Sequence, residues 1–158
     1  MALKRHKSLQ NYSREHHEEL LLVWKIKTGL KSNIESKRII DYCLHNYEEI
    51  LSPHMAREEK YILTRLTETD SDRIRIVNDH AMVRIIIDEL SKFPENSTQL
   101  LTQFASELDD HIRFEERIFF PRLQQEIAID LLNSMQPAEE ELKECTTWHD
   151  PFWENKII

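Results

Sequence analysis

The chain has 158 residues, of which 40% are hydrophobic and one is glycine, so it is long enough to bury the core of one ordinary domain without disulfide support. The formal net charge is -8, with 21 Lys and Arg against 29 Asp and Glu, and this excess of acids argues against a nucleic-acid partner. No apolar run is long enough for a membrane span or a standard signal peptide. Cys43 and Cys145 form no CxxC pair, which is typical of a reducing compartment and predicts a cytoplasmic protein.

One glycine and five prolines are too few for the many tight turns of a sheet protein, so helices are predicted. The first helix is expected over about residues 8–28, with Gly29 as its left-handed C-terminal cap. Ser32 and Glu35 have the S-x-x-E spacing of a capping box, which predicts that a long second helix begins there. That helix is expected to run to about Thr67.

A third helix is predicted over roughly residues 73–92, where Pro94 would end it. A fourth helix follows a cap at Ser97, and Pro121 is expected to bend its last turns. A short amphipathic stretch, EIAIDLLNSM, and a tail containing two tryptophans complete the chain. The prediction is one all-α domain over residues 1–158, with a four-helix bundle over about 8–127 and a C-terminal extension over about 128–158.

Histidines and glutamates interrupt the apolar faces of these helices. The second helix contains HMAREEKYILTRL and the fourth contains HIRFEERIFFPRL, and the two segments align without a gap. In each, a His and a Glu four residues apart lie roughly 40 degrees apart around the helix, so they share one face. These pairs are His54 with Glu58 and His111 with Glu115, while the apolar row of the third helix contains His80.

The glutamates that follow these pairs are predicted to lie elsewhere. Glu59 and Glu116 stand five residues after their histidines, roughly 140 degrees around the helix, so we expect them to face solvent or a helix boundary.

The first helix offers two adjacent candidates. His16 shares a face with Leu20 and Val23, whereas His17 shares a face with Leu20, Leu21 and Trp24. Apolar residues follow His80 at the same offsets as those after His17, so His17 is the favoured choice and His16 the alternative.

A buried group of imidazoles and carboxylates needs compensation, because a charge moved into a low-dielectric core costs several kcal/mol. Divalent metal supplies that compensation. Imidazole and carboxylate suit non-haem iron, and manganese and zinc are also acceptable. The predicted metal ligands are His17, His54, Glu58, His80, His111 and Glu115.

The segments EHHEELL, HMAREE, NDHAMV and HIRFEE together resemble the hemerythrin and HHE cation-binding family, over about Leu9 to Leu123. The resemblance implies an up-down-up-down four-helix bundle with an oxo- or hydroxo-bridged pair of iron ions. Oxygen-carrying members have HxxxH on the third helix, but here Ile76 stands four residues before His80. The missing histidine disfavours reversible oxygen transport.

The resemblance therefore implies a di-iron protein that binds or senses oxygen, peroxide or nitric oxide, or that responds to redox or iron state. The alternative is an oxidase-like or peroxidase-like activity, or the delivery of iron for repair. The expected partners are a small diatomic ligand or peroxide, with no membrane and no nucleic acid. A sensor of this kind is expected to act through a separate protein partner.

Overall fold

The computed structural model describes residues 4–142 and 147–154, which are mostly helical and include no β-strand. Helix α1 spans Gln10–Lys31 and helix α3 spans Ser71–Lys92. Helix α2 comprises Ser36–Asn46 and Ser52–Arg57, each followed by a π-helical segment, Tyr47–Leu51 and Glu58–Ile62, and it ends in a 3-10 turn at Leu63–Arg65. Helix α4 comprises Ser97–Phe114, a π-helical segment at Glu115–Phe119, and Phe120–Glu126. The short helix α5 spans Ile129–Asn133.

These helices confirm the predicted all-α fold class. Helix α1 packs against α4, α4 packs against α3, and α2 contacts the other three long helices. No described helix is both long enough and apolar enough to cross a membrane. Cys43 is buried with a free thiol, and Cys145 lies outside the described residues.

The connection between α1 and α2 differs from the prediction. Helix α1 continues through Gly29, which does not have a positive φ, and the left-handed residue is Asn33 with φ 54°. Gly29 is needed for close packing instead, because a Cβ there would lie 2.8 Å from a ring carbon of Phe152 and 2.9 Å from Ile39 Cδ1. The predicted capping box is also wrong, since α2 begins at Ser36 without a side-chain cap.

Three π-helical segments occur in α2 and α4, and two of them precede a proline. Pro53 follows Tyr47–Leu51, and Pro121 follows Glu115–Phe119. A proline inside a helix lacks an N–H group and clashes with the preceding turn. The wider π-helical turn accommodates that ring, so each helix continues past its proline. The segments Glu58–Ile62 and Glu115–Phe119 begin at the same position of the HxxxEE repeat.

Two apolar clusters fill the interior. Core A includes Val23 of α1, Ile39 of α2, Ile86 of α3 and Leu101 of α4. Core B is lined by Tyr12 of α1, Ile62 at the end of α2, Ile76 of α3 and Phe119 of α4. Helices α1 and α3 therefore run from core B to core A, while α2 and α4 run from core A to core B. The layer between the two cores contains the histidines and glutamates of the repeat.

The connection between α2 and α3 is held by a charged cap. The carboxylate of Asp70 accepts hydrogen bonds from the backbone N–H groups of Asp72 and Arg73 at the start of α3. It also binds Arg122 of α4 at 2.5 Å. The guanidinium of Arg122 lowers the pKa of Asp70 to about 2.

Removal of this cap is expected to destabilise the fold. We expect Asp70→Ala to lower the free energy of unfolding at pH 7 by about 1–2 kcal/mol, because it removes both the cap and the ion pair. Asp70→Asn should retain the cap. The depressed pKa means that the ionic part is present above about pH 4 and is lost as the pH falls toward 2. Urea denaturation at several pH values across this range should therefore show that the free energy of unfolding of Asp70→Asn approaches that of the wild type as the pH falls. A difference between the two that does not change with pH would contradict the proposed ion pair.

Candidate metal centre

A layer of imidazoles and carboxylates lies between the two apolar cores. Its seven side chains are each at most 4% exposed. They come from all four long helices: His16, Glu19, His54, Glu58, His80, His111 and Glu115. A metal-binding constellation is therefore assembled in the interior of the bundle.

The four histidines direct Nε2 toward the glutamates of the HxxxEE repeat. Nε2 of His54 lies 2.5 Å from an oxygen of Glu58, and Nε2 of His80 lies 3.1 Å from the other oxygen of Glu58. Nε2 of His16 and Nε2 of His111 each lie 2.9 Å from different oxygens of Glu115. Each glutamate thus uses its two oxygens to contact histidines on opposite sides.

These contacts divide the layer into two overlapping groups whose ligand atoms lie within 4.8 Å of one another. The first group is His16, His54, Glu58 and Glu115, and the second is Glu58, His80, His111 and Glu115. Glu58 and Glu115 belong to both groups, so the two sets of donors that could hold metal share these carboxylates. This arrangement is typical of di-metal carboxylate sites in helical bundles.

The atoms of this layer have unmet bonding capacity, which tests whether metal fits the site. Among the described residues, Nε2 of His16, His54 and His111 has no hydrogen-bond partner despite its short contacts. The same is true of Oε1 of Glu58 and of both oxygens of Glu115. Buried polar atoms rarely remain unpaired. These are nitrogen and oxygen donors that converge on a shared space, so the residues fit divalent metal.

The other ring nitrogen of each histidine contacts a second set of carboxylates. Nδ1 of His16 donates to Glu116 at 2.6 Å, and Nδ1 of His80 donates to Glu59 at 2.8 Å. The two remaining pairs are His111 with Asp79 at 2.9 Å and His54 with Glu15 at 3.3 Å. Donation from Nδ1 leaves the Nε2 lone pair free and aimed inward, which is the tautomer that a metal ligand requires.

Each of these outer carboxylates also contacts an arginine. Glu116 binds Arg5 at 2.9 Å, Glu59 binds Arg84 at 2.8 Å, and Glu15 binds the largely buried Arg57. Arg75 lies 3.9 Å from Asp79. The guanidinium groups fix the carboxylates, and the carboxylates fix the imidazoles.

The close contacts also shift the titration of the buried groups. Burial alone lowers the pKa of His16, but its close contacts with the carboxylates of Glu115, Glu116 and Glu58 outweigh this effect and raise that pKa well above its ordinary value. Burial raises the pKa of Glu58, but its contacts with His54 and the other histidines have the larger effect and lower it well below the usual range. Nearby positive charge thus stabilises the carboxylate of Glu58, and bound metal would supply such charge in place of the protons on the imidazoles.

The structure brings together five of the six predicted ligands, namely His54, Glu58, His80, His111 and Glu115. The structure places the favoured histidine of α1, His17, at the surface, and it places the alternative, His16, in the cluster.

Two features of α1 account for this difference from the prediction. Leu21 and Trp24, which share the face of His17, are 38% and 53% exposed. The buried face of α1 contains a charged residue, Glu19, beside His16.

Sequence reasoning missed five acidic residues around the cluster. Glu59 and Glu116 were predicted to face solvent or a helix boundary, but each binds a histidine of a neighbouring helix.

Glu15 and Asp79 immediately precede His16 and His80, and this repeated acid-histidine order was the available signal. Glu19 is buried beside the cluster, and only its place on the face of His16 marked it.

These features define an all-helical protein whose interior contains His and Glu groups able to hold metal ions. Residues 72–148 match the family model of the hemerythrin HHE cation binding domain. The resemblance to the hemerythrin HHE cation-binding family predicted from the sequence is thereby confirmed. The matched segment contains His80, His111 and Glu115. No curated protein and no solved structure shows significant similarity to the chain.

The two adjacent histidines of α1 offer a matched comparison. We expect His16→Ala to weaken metal binding at least about tenfold, because it removes an inward nitrogen donor. His17→Ala removes an exposed imidazole and should leave binding unchanged. Metal content of the two purified variants, measured by mass spectrometry, checks the assignment, and a loss confined to the His17 variant would reverse it.

The outer carboxylates should tune binding without contacting the metal. We expect Asp79→Ala to weaken metal binding about tenfold or more, because His111 loses the partner that fixes its ring and tautomer. Asp88→Ala on the same helix removes an exposed carboxylate and is the control. Equilibrium competition with a chelator measures the affinities, and equal values for both variants would show that Asp79 has no influence.

Proposed function

We propose that this chain binds two iron ions in the layer between its apolar cores. One ion is held by His16 and His54 and the other by His80 and His111, with Glu58 and Glu115 shared between them. The observation that carries the proposal is the membership of both glutamates in both ligand groups. The set is the predicted one with His16 in place of His17.

Iron is proposed on the chemistry of the donors. Two imidazoles and carboxylates around each position are similar to the 2-His-1-carboxylate arrangement of non-haem iron, which leaves coordination positions open. Manganese and zinc accept the same donors. Iron bound here would supply open coordination and a change of oxidation state.

We infer from this chemistry that the protein binds or senses a small oxidant or diatomic molecule, such as oxygen, peroxide or nitric oxide, or responds to redox state. The surroundings of the site support selection of small ligands. The ring of Phe120 stacks on His16 at 5.5 Å, and Tyr12 packs edge-on against His54 at 6.0 Å. Both aromatic rings are fully buried and shield the imidazoles from bulk water.

The residues around His54 provide a route from the site to the C-terminal segment. Glu15 contacts His54 and the guanidinium of Arg57, and Arg57 donates to the carbonyl oxygen of Glu141 at 3.1 Å. The hydroxyl of Tyr61 also donates to the carboxylate of Glu141 at 2.9 Å. We propose that a change at His54 alters how this segment is held, and that a separate protein partner reads the change.

The topology and domain organisation belong to the same proposal. The alternation of the four helices between core A and core B supports an up-down-up-down bundle. Phe152 packs into core A and Leu132 into core B, which supports one domain with a bundle over about 8–127 and an extension over about 128–158. The cytoplasmic location stays a prediction.

Metal content and the visible absorption spectrum, measured on protein purified without added metal, test the proposal. About two irons per chain are expected, with visible absorption that is lost in His54→Ala and in His111→Ala because each variant lacks one donor. His17→Ala is the matched control. Folded variants with the metal content and spectrum of the wild type would contradict the proposed centre.

Ligand addition then separates binding from catalysis. A stoichiometric spectral change on adding oxygen, peroxide or nitric oxide supports the sensing function. Sustained consumption of peroxide or nitric oxide by the iron form, lost in Glu115→Ala, would instead identify an enzyme. No response to any of the three would contradict both.

A further inference from the structure

Glu19 is a buried carboxylate that the six-ligand set does not use. It lies on α1 and is 1% exposed, whereas its neighbour Glu18 is exposed. Neither oxygen of Glu19 has a hydrogen-bond partner among the described residues. An acidic side chain thus lies in the interior without a hydrogen-bond donor from the part of the chain that the structure describes.

Such a placement is costly unless a cation compensates it. Burial of an isolated carboxylate costs several kcal/mol, and removal of the charge by protonation still leaves its oxygens unpaired. The other glutamates of the layer contact histidines at 3.3 Å or less. Glu19 is therefore the member of the layer with the least compensation from the protein itself.

The position of Glu19 identifies the ion that would compensate it. It stands three residues after His16, on the same face of α1. Its Oε1 lies 3.6 Å from Nε2 of His54. Both histidines belong to the first ligand group, and neither belongs to the second.

We propose that Glu19 is an additional ligand of the metal position formed by His16 and His54. This inference rests on the proposed di-iron function. It gives that position two histidines and a carboxylate of its own, besides the shared glutamates. The position formed by His80 and His111 has two histidines and the shared glutamates only.

A comparison of α1 with α3 shows that this asymmetry is specific to one half of the layer. The residue three positions after His80, which corresponds to Glu19, is Val83, and its side chain is 1% exposed. A valine cannot bind metal. The ion beside His80 and His111 therefore has more open coordination, and small external ligands bind there, while the ion beside Glu19 is held more tightly.

Anaerobic titration of the full chain with ferrous iron alone, in competition with a chromogenic chelator, tests this asymmetry. The wild type should bind two ions with unequal dissociation constants. Glu19→Gln should weaken the tighter ion at least about tenfold and leave the weaker one unchanged, because the amide is a poor substitute for the carboxylate. Glu18→Gln is the matched control and should leave both constants unchanged.

Thermal unfolding supplies a second readout. A purely structural role of Glu19 predicts that its replacement lowers the Tm of the metal-free protein, whereas the proposed role as a ligand predicts that this Tm rises. Glu19→Gln and Glu19→Leu should raise the Tm of the metal-free protein, because each removes an uncompensated buried carboxylate. Both should reduce the rise in Tm that iron produces. Glu19→Leu tests the role of the carboxylate even if the protein does not accommodate the amide of Glu19→Gln.

The outcomes separate this inference from the proposed function. If the wild type binds two irons and both constants are unchanged in Glu19→Gln, Glu19 is not a ligand and the di-iron proposal still stands. If the metal-free Tm falls in both variants and the iron-induced rise is unchanged, the role of Glu19 is structural and the inference is overturned. If the wild type binds no iron, both proposals fail.

Discussion

The burial of two shared glutamates among four imidazoles is the constraint on which the rest of the structure depends. Glu58 and Glu115 are at most 2% exposed, in a layer bounded by apolar cores on both sides. Water is excluded there, so the protein must supply compensation from its own side chains or from bound cations. Three successive shells of side chains meet this requirement. They are the inward Nε2 atoms, the outer carboxylates, and the arginines that contact those carboxylates. The two apolar cores fix the helices that carry those shells.

The distribution of outer carboxylates links the helices in chain order. Glu15 of α1 binds the histidine of α2, Glu59 of α2 binds that of α3, and Asp79 of α3 binds that of α4. Glu116 of α4 closes the ring at the histidine of α1. In α1 and α3, the outer carboxylate immediately precedes the histidine of the same helix. In α2 and α4, it immediately follows the glutamate that both ligand groups share. In the latter pair, a π-helical segment begins at the shared glutamate, so two consecutive acids serve two different partners.

The sequence predicted the parts of this arrangement that depend on periodicity within one helix. The gap-free HxxxEE repeat identified His54 with Glu58 and His111 with Glu115, because an i,i+4 pair needs only helical geometry to share a face. The sequence favoured His17 over His16 because Trp24, which is exposed, resembled a core residue, whereas the structure brings His16 into the cluster. The partners of the outer carboxylates depend on which helices are neighbours and on π-helical turns, and neither is encoded in the periodicity of a single helix.

The ring of contacts also determines where a change at the site can reach the surface. Arg84 and Arg75 lie at the surface, so the contacts that lead outward from His80 and His111 end at solvent-exposed guanidinium groups. Arg57 differs because its side chain is 7% exposed and it also binds a backbone carbonyl of the C-terminal segment. We therefore propose that a shift at the first metal position, where His54 and Glu19 lie, is transmitted to another part of the fold. In the same proposal, chemistry at the more open second position would reach that route through the shared glutamates, since Glu58 contacts both His80 and His54.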